Sequence, residues 1–268
     1  MTTAVARPRE VLITGAAGKI GRVLREGLAG RYGLRLLDRA DLGVARSGET
    51  LVQADICDHA AVDAAVRGID AIVHLAGVAR IGDWQAILPA NIAATHDLLE
   101  AARRHGVRRF VYASSHHAVG FYGRDDVIDE TVLPRPDCGY GLSKAFGEAA
   151  CRLYHDKFGL EAMCLRIGTM SEAPYDRRTL STWISPRDLV QLTALALDTP
   201  DLGYEIVYGV SANTMSWWRN DRADALGYRP QDSADAFAEA ILAQPDEEEA
   251  IARRFQGASF AASEFRER

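Results

Sequence analysis

The chain has 268 residues, of which 48% are hydrophobic and 25% charged, and carries a formal net charge of −6. This is the composition of a soluble globular protein; with no basic run it gives no footing for nucleic acid or an anionic membrane. No apolar stretch approaches the length of a membrane-spanning helix. The lead-in from Met1 to Glu10 has arginines but no apolar core, which is not the pattern of a signal peptide. Cys57, Cys138, Cys151 and Cys164 stand apart without a C-x-x-C pair. Neither a zinc site nor a disulfide framework is expected, and reduced thiols in a cytoplasmic protein are.

Val11 to Thr14 is a short apolar and β-branched run, which predicts a buried parallel strand. Gly15, Gly18 and Gly21 follow at three-residue intervals, and then Val23, Leu24 and Leu28 at helical spacing. Strand, glycine turn and helix suit a dinucleotide pyrophosphate: glycines let the backbone approach the phosphates, and the helix N-terminus offers free N–H groups. A second strand, Leu34 to Leu37, ends in Asp38. An acidic residue about 20 residues past the turn accepts hydrogen bonds from the adenosine ribose and repels a 2′-phosphate, so NAD is expected rather than NADP. Arg39 beside it reads as a solvated turn residue. Leu51 to Ala54 is a third strand, with Asp55 and Ile56 placed to flank the adenine; Asp55 could instead cap a helix starting near Asp58.

Ile69 to Leu75 is the fourth strand, closing in Ala76 and Gly77, small enough for the nicotinamide half of the cofactor to pass. His74 within it reads as a packed strand residue. A helix is predicted from Asn91 to His105 and a fifth strand from Arg108 to Ala113. The pattern is α/β: a Rossmann-type doubly wound parallel sheet, with the site beyond the carboxyl ends of the strands. The fifth strand empties into Ser114-Ser115-His116-His117, and Tyr140-Gly141-Leu142-Ser143-Lys144 follows. Tyr and Lys four apart share one helix face, about 5–6 Å between their Cβ atoms. Bringing a phenol from pKa about 10 towards 7 requires roughly 4 kcal/mol, which the Lys144 ammonium and a positive nicotinamide ring could share.

Gly15, Gly18, Gly21, Asp38, Ser115, Tyr140 and Lys144 resemble the pattern of the extended short-chain dehydrogenases, the sugar-nucleotide epimerase/dehydratase group. Further stretches resemble the uronate dehydrogenases nearly end to end: A-S-S-H-H at Ala113, Y-G-L-S-K at Tyr140, R-I-G-T at Arg166, L-S-T-W at Leu180, G-x-S-A-N at Gly209 and R-F-Q-G at Arg254. The resemblance implies NAD-dependent oxidation of a hexuronate at C1 to the aldarolactone, with Tyr140 as general base, Ser115 on the same hydroxyl, Lys144 on ribose and phenolate, and no metal; the alternatives are a dehydrogenase of another aldose or sugar derivative, or a sugar epimerase or dehydratase that recycles its NAD. It also places Gly15, Ala17, Gly18, Lys19, Ile20, Leu75, Ala76, Gly77, Asn91 and Ile167 along the cofactor. Arg178, with Arg177 as its rival, falls where the family sets an arginine on the substrate carboxylate, a fork matched to an anion.

The chain departs from that pattern at three sugar contacts. His116 stands where the family has Asn, ahead of His117; Ala79 and Thr169 each replace a serine. A helix from Ser185 to Leu197, a late strand from Glu205 to Tyr208 and a loop from Ser211 to Trp218 follow, with Trp217 and Trp218 read as packing. Residues 1–268 are expected to form one domain, with roughly 168–185 and 205–268 supplying a small C-terminal substrate lobe. In the tail, Glu247 to Glu249 read as a solvated helix face, while Phe255, Phe260 and Phe265 could dock on the body or on a second subunit. The expected partners are a small sugar acid and further copies of the chain as a homo-oligomer, not nucleic acid or membrane.

Overall fold

The central strands are apolar on both faces because helices cover both. Along β1 (Glu10–Thr14), Val11 and Ile13 enter one core while Leu12 between them enters the other. This is the two-residue alternation of an extended chain with no solvated side. The computed structural model describes residues 9–81, 84–263 and 265, so most of the lead-in from Met1 to Glu10 lies outside the described residues.

The elements run α1 (Lys19–Gly27), β2 (Gly33–Asp38), β3 (Glu49–Gln53), α2 (His59–Val66), β4 (Ala71–His74), α3 (Trp84–Ile87), α4 (Ala94–Arg104), β5 (Arg109–Ser115), α5 (Gly139–Phe158) and β6 (Glu161–Ile167). Then come β7 (Thr169–Met170), α6 (Thr179–Thr182), β8 (Trp183–Ile184), α7 (Pro186–Asp198), β9 (Tyr204–Gly209), α8 (Asp221–Leu226), α9 (Ala238–Leu242), α10 (Ala250–Arg254) and α11 (Ser259–Ala262). The main sheet is parallel throughout, in the order β3-β2-β1-β4-β5-β6-β9. This is the doubly wound Rossmann-type sheet, and its order reverses between β1 and β4, where a ligand crevice opens.

Three elements differ from their sequence reading. The helix expected to begin at Asn91 begins at Trp84, and Leu88–Ala93 forms a wide π-helical stretch leading into α4. Pro89 is the reason: it has no N–H and its ring presses on the carbonyl four residues back. Glu247 to Glu249 are not on a helix but in the loop ahead of α10, and the Glu248 carboxylate pairs with Arg124 at 2.6 Å. Of the expected lobe, Tyr204–Gly209 joins the main sheet beside β6. Met170, Ile184, Ala223 and Tyr228 join one main core, and two small apolar clusters hold other parts: Leu180 with Trp183, Ala234 and Ile241, and Val119 with Ile128, Tyr208, Val210 and Trp218.

Candidate active site

The turn after β1 is held by its own backbone. Gly15 has φ +72°, and a Cβ there would lie 2.7 Å from the Ala76 nitrogen. Its N–H and that of Ala16 donate to the Leu37 carbonyl at 2.8 and 3.2 Å, which ties the turn to β2. At the end of β2 the Asp38 carboxylate accepts from the Ala17 N–H and the Ala40 N–H, both at 2.9 Å. A cavity of about 200 Å³ opens there, lined by Gly15, Gly18, Asp38, Arg39, Asp55, Ile56, Leu75, Ala76 and Gly77. Asp58, not Asp55, caps α2, by accepting from the Ala60 and Ala61 N–H groups. Asp55 stays at the cavity wall.

A second cavity of about 330 Å³ shares Gly15, Gly18, Leu75 and Gly77 with the first and continues past Lys19, Ile20, Ala79, Ser115, Tyr140, Lys144 and Ile167. Together they make one groove along the carboxyl ends of the strands. A glycine turn that presents its backbone, a carboxylate at one end and a phenol at the other fit the chemistry of NAD. Lys19 Nζ donates to the Met170 carbonyl at 2.8 Å, pinning the small β7–β8 sheet to the groove. Asn91 sits behind it. Its amide accepts from Val78 N–H at 2.7 Å and donates to Ser143 Oγ at 2.9 Å, so it braces the Gly77–Val78 wall against α5.

The last residue of β5 is Ser115, and Tyr140 lies in the first turn of α5, which Cys138 caps through its sulfur. Burial pushes the Tyr140 phenol up to about 12, even with a hydrogen bond to Ser115 working the other way. Lys144 Nζ stands 5.5 Å from the centre of the Tyr140 ring and 4.9 Å from that of Tyr112. Burial brings its ammonium down to about 8. Serine, phenol and ammonium thus share a dry corner in which charge interactions are strong.

Beyond Tyr140 the walls are cationic and aromatic. His116 lies with Nδ1 3.1 Å from the Ile167 carbonyl and Nε2 2.6 Å from Arg178 Nη2. Arg178 Nη1 donates to Thr169 Oγ1 at 3.3 Å, and Thr169 shares a hydrogen bond with Thr182. Burial pulls the Arg178 pKa below that of an ordinary guanidinium, and no carboxylate among the described residues forms an ion pair with it. Arg177 turns away and donates to the Leu242 and Gln244 carbonyls. His117 Nδ1 is 2.6 Å from Asp137 Oδ2, deep inside; burial lowers the histidine and raises Asp137 to about 6.

The profile of the NAD dependent epimerase/dehydratase family matches residues 11–185. Uronate dehydrogenase of Pseudomonas syringae pv. tomato is 44% identical over 258 residues, 94% of this chain and 93% of that one. The chain belongs to this family, alongside the uronate dehydrogenases. The solved glucuronic acid dehydrogenase of Chromohalobacter salexigens superposes with a TM-score of 0.91 at 43% identity, covering 95% of this chain and 97% of that one. A tyrosine-to-alanine variant of Agrobacterium tumefaciens uronate dehydrogenase, complexed with NAD, superposes at 0.90 with the same identity and coverage. The chain is an NAD-dependent dehydrogenase acting on a CH–OH donor.

Of two further neighbours of the site, one was not legible in the sequence and the other was expected only to dock somewhere on the body or on a second subunit. Asp137 lies three residues before Tyr140 with no motif to mark it, yet it is the buried partner of His117. Phe260 of α11 stacks on the His117 ring at 4.1 Å and meets Tyr140 edge-on at 6.4 Å. Of the three tail phenylalanines, it is the one that docks on the site; Phe255 and Phe265 pack with Phe121. The tail approaches closely because of Gly257, where a Cβ would fall 1.8 Å from Asp137 Oδ2. His117, Asp137 and Cys138 also bring three possible metal ligands within 4.8 Å. His117 and Asp137 are paired with each other there at 2.6 Å. His74, as expected, is a packed strand residue, bridging Thr14 and Thr95 through its two nitrogens. Trp218 stacks on Tyr208 at 4.9 Å.

Proposed function

We propose that the chain oxidises a hexuronate at C1 to the aldarolactone. The observation that carries this reading is Arg178: a guanidinium largely removed from water, ion-paired with no carboxylate among the described residues, and bonded to His116 next in the chain to Ser115. A buried cation is costly unless an anion meets it, and a uronate brings one.

Bound NAD supplies the acceptor for the C1 hydride. The protein manages the proton and the pose. The Tyr140 oxygen takes the proton of the C1 hydroxyl as the C1–H bond breaks, leaving the ring carbon as a lactone carbonyl. The Ser115 hydroxyl steadies that oxygen as it becomes a carbonyl. The Lys144 ammonium, held 5.5 Å from the phenol ring, favours phenolate and reaches towards ribose. Gly15, Ala17, Gly18, Lys19, Ile20, Asp38, Arg39, Asp55, Ile56, Leu75, Ala76, Gly77 and Ile167 border the cofactor, Asn91 shapes its wall, and Ala79, His116, His117, Thr169 and Arg178 border the sugar.

The same reading takes the chain as one domain with the lobe folded onto the sheet, in a reducing cytoplasm where its four cysteines stay free. Half-exposed Leu142 and Leu153 on α5 support self-association, which light scattering checks. The test of function is NADH formation from NAD with glucuronate, galacturonate and the matching neutral aldoses. Tyr140→Phe should lower kcat by about 10³-fold while leaving NAD binding intact by calorimetry. Arg178→Ala should raise KM for the uronates and not for the aldoses. Turnover confined to neutral aldoses would overturn the carboxylate reading.

A further inference from the structure

The groups that orient Arg178 decide what the sugar end accepts, an inference that rests on the carboxylate reading above. His116 follows β5 directly, and its ring lies against those of His117 at 4.0 Å and Trp218 at 5.6 Å. Its Nδ1 faces the Ile167 carbonyl at 3.1 Å, and a carbonyl oxygen only accepts, so Nδ1 carries the hydrogen. In a neutral ring Nε2 is then a bare lone pair. It lies 2.6 Å from Arg178 Nη2, which only donates. Each contact requires the other, and together they select one tautomer. Thr169 takes a second N–H at 3.3 Å, while Arg178 Nε is buried without a partner. Two of the five guanidinium N–H groups are therefore committed to holding the fork, and the rest remain for an anion.

We propose that His116 is a positioning residue: as a neutral acceptor, it aims the Arg178 fork at the substrate carboxylate and so sets the preference for acidic sugars. The Asn of the family pattern places its amide where the imidazole Nδ1 lies. At this position it can satisfy Ile167 but falls short of Arg178. Gln carries an amide oxygen out to the place of Nε2.

The test compares His116→Asn and His116→Gln in the full-length chain with NAD and glucuronate. His116→Asn should raise KM about tenfold with kcat within about twofold, and His116→Gln should restore most of the loss. In an Arg178→Ala background His116→Asn should cost nothing further, because its effect runs through the arginine. A penalty that persists undiminished in that background overturns the proposal, since His116 would then act on the sugar directly. Should Arg178→Ala leave KM unchanged, the carboxylate reading fails, and the histidine contact is judged separately. The nitrogen NMR spectrum of the unliganded chain, labelled at histidine, should show His116 Nε2 as an acceptor whose resonance moves on Arg178→Ala. An unmoved resonance, or a hydrogen on Nε2, overturns the proposal whichever sugar is turned over.

Discussion

The two ends of the groove are built by different means. The nucleotide end is backbone: Gly15 turns at φ +72°, two N–H groups bond the Leu37 carbonyl, and Asp38 accepts from the same turn. Those contacts lie within residues 14–40, and Asp55, Ile56, Leu75, Ala76 and Gly77 complete the wall around them. The sugar end is side chain: His116 after β5, Asp137 before α5, Thr169 and Arg178 in the lobe, Phe260 in the tail. Those five come from four separate segments and meet only in the folded protein. A backbone site tolerates little change anywhere along it, whereas a side-chain site can be altered one contact at a time while the chemistry beside it survives.

Substitutions at the two ends should separate along that line. Gly15→Ala should be the most damaging, since it forces a side chain into a left-handed turn and against Ala76. We expect a stability loss of ~2 kcal/mol and NAD affinity weaker by at least about thirtyfold, read by thermal melting and calorimetry. Phe260→Ala, at the other end, should raise KM for the uronate about tenfold and leave NAD affinity unchanged. An equal loss of NAD affinity would show that the ends are not separable.

The acid response tests which end carries it. His74, beneath the nucleotide end, is buried and pushed by desolvation from 6.5 down to about 3. Below 6.5 the unfolded chain binds a proton there that the folded chain refuses, so stability falls as pH drops through that window. One such group contributes up to ~1.4 kcal/mol per pH unit. His74→Gln should flatten the fall in urea midpoint between about pH 7 and 4; an unchanged slope would assign the fall to His116 and His117 instead. The smallest effect concerns the tail. Ala258 sits at φ +53° and ψ −125°, a strained place for a side chain, just ahead of Phe260. Ala258→Gly should stabilise by ~1 kcal/mol, read as a higher melting temperature.

Sequence alone was enough for the order of the main strands and helices, the glycine turn, and where Asp38, Ser115, Tyr140 and Lys144 fall on those elements, because each depends on residues near it in the chain. A two-residue alternation, a 3.6-residue period and a run of glycines are local signals that neighbouring residues enforce on one another. Pro89 widening the start of the helix at Trp84 was present in the sequence too, but its effect depends on what packs around it. Only the tertiary structure decided that Asp137 would bury against His117, that Phe260 would return over the site, and that His116 would hold Arg178. Those contacts span separations of 20 to 143 residues; hydrogen bonds and ring stacking between such distant segments leave no period in a sequence and exist only once the sheet has brought the segments together.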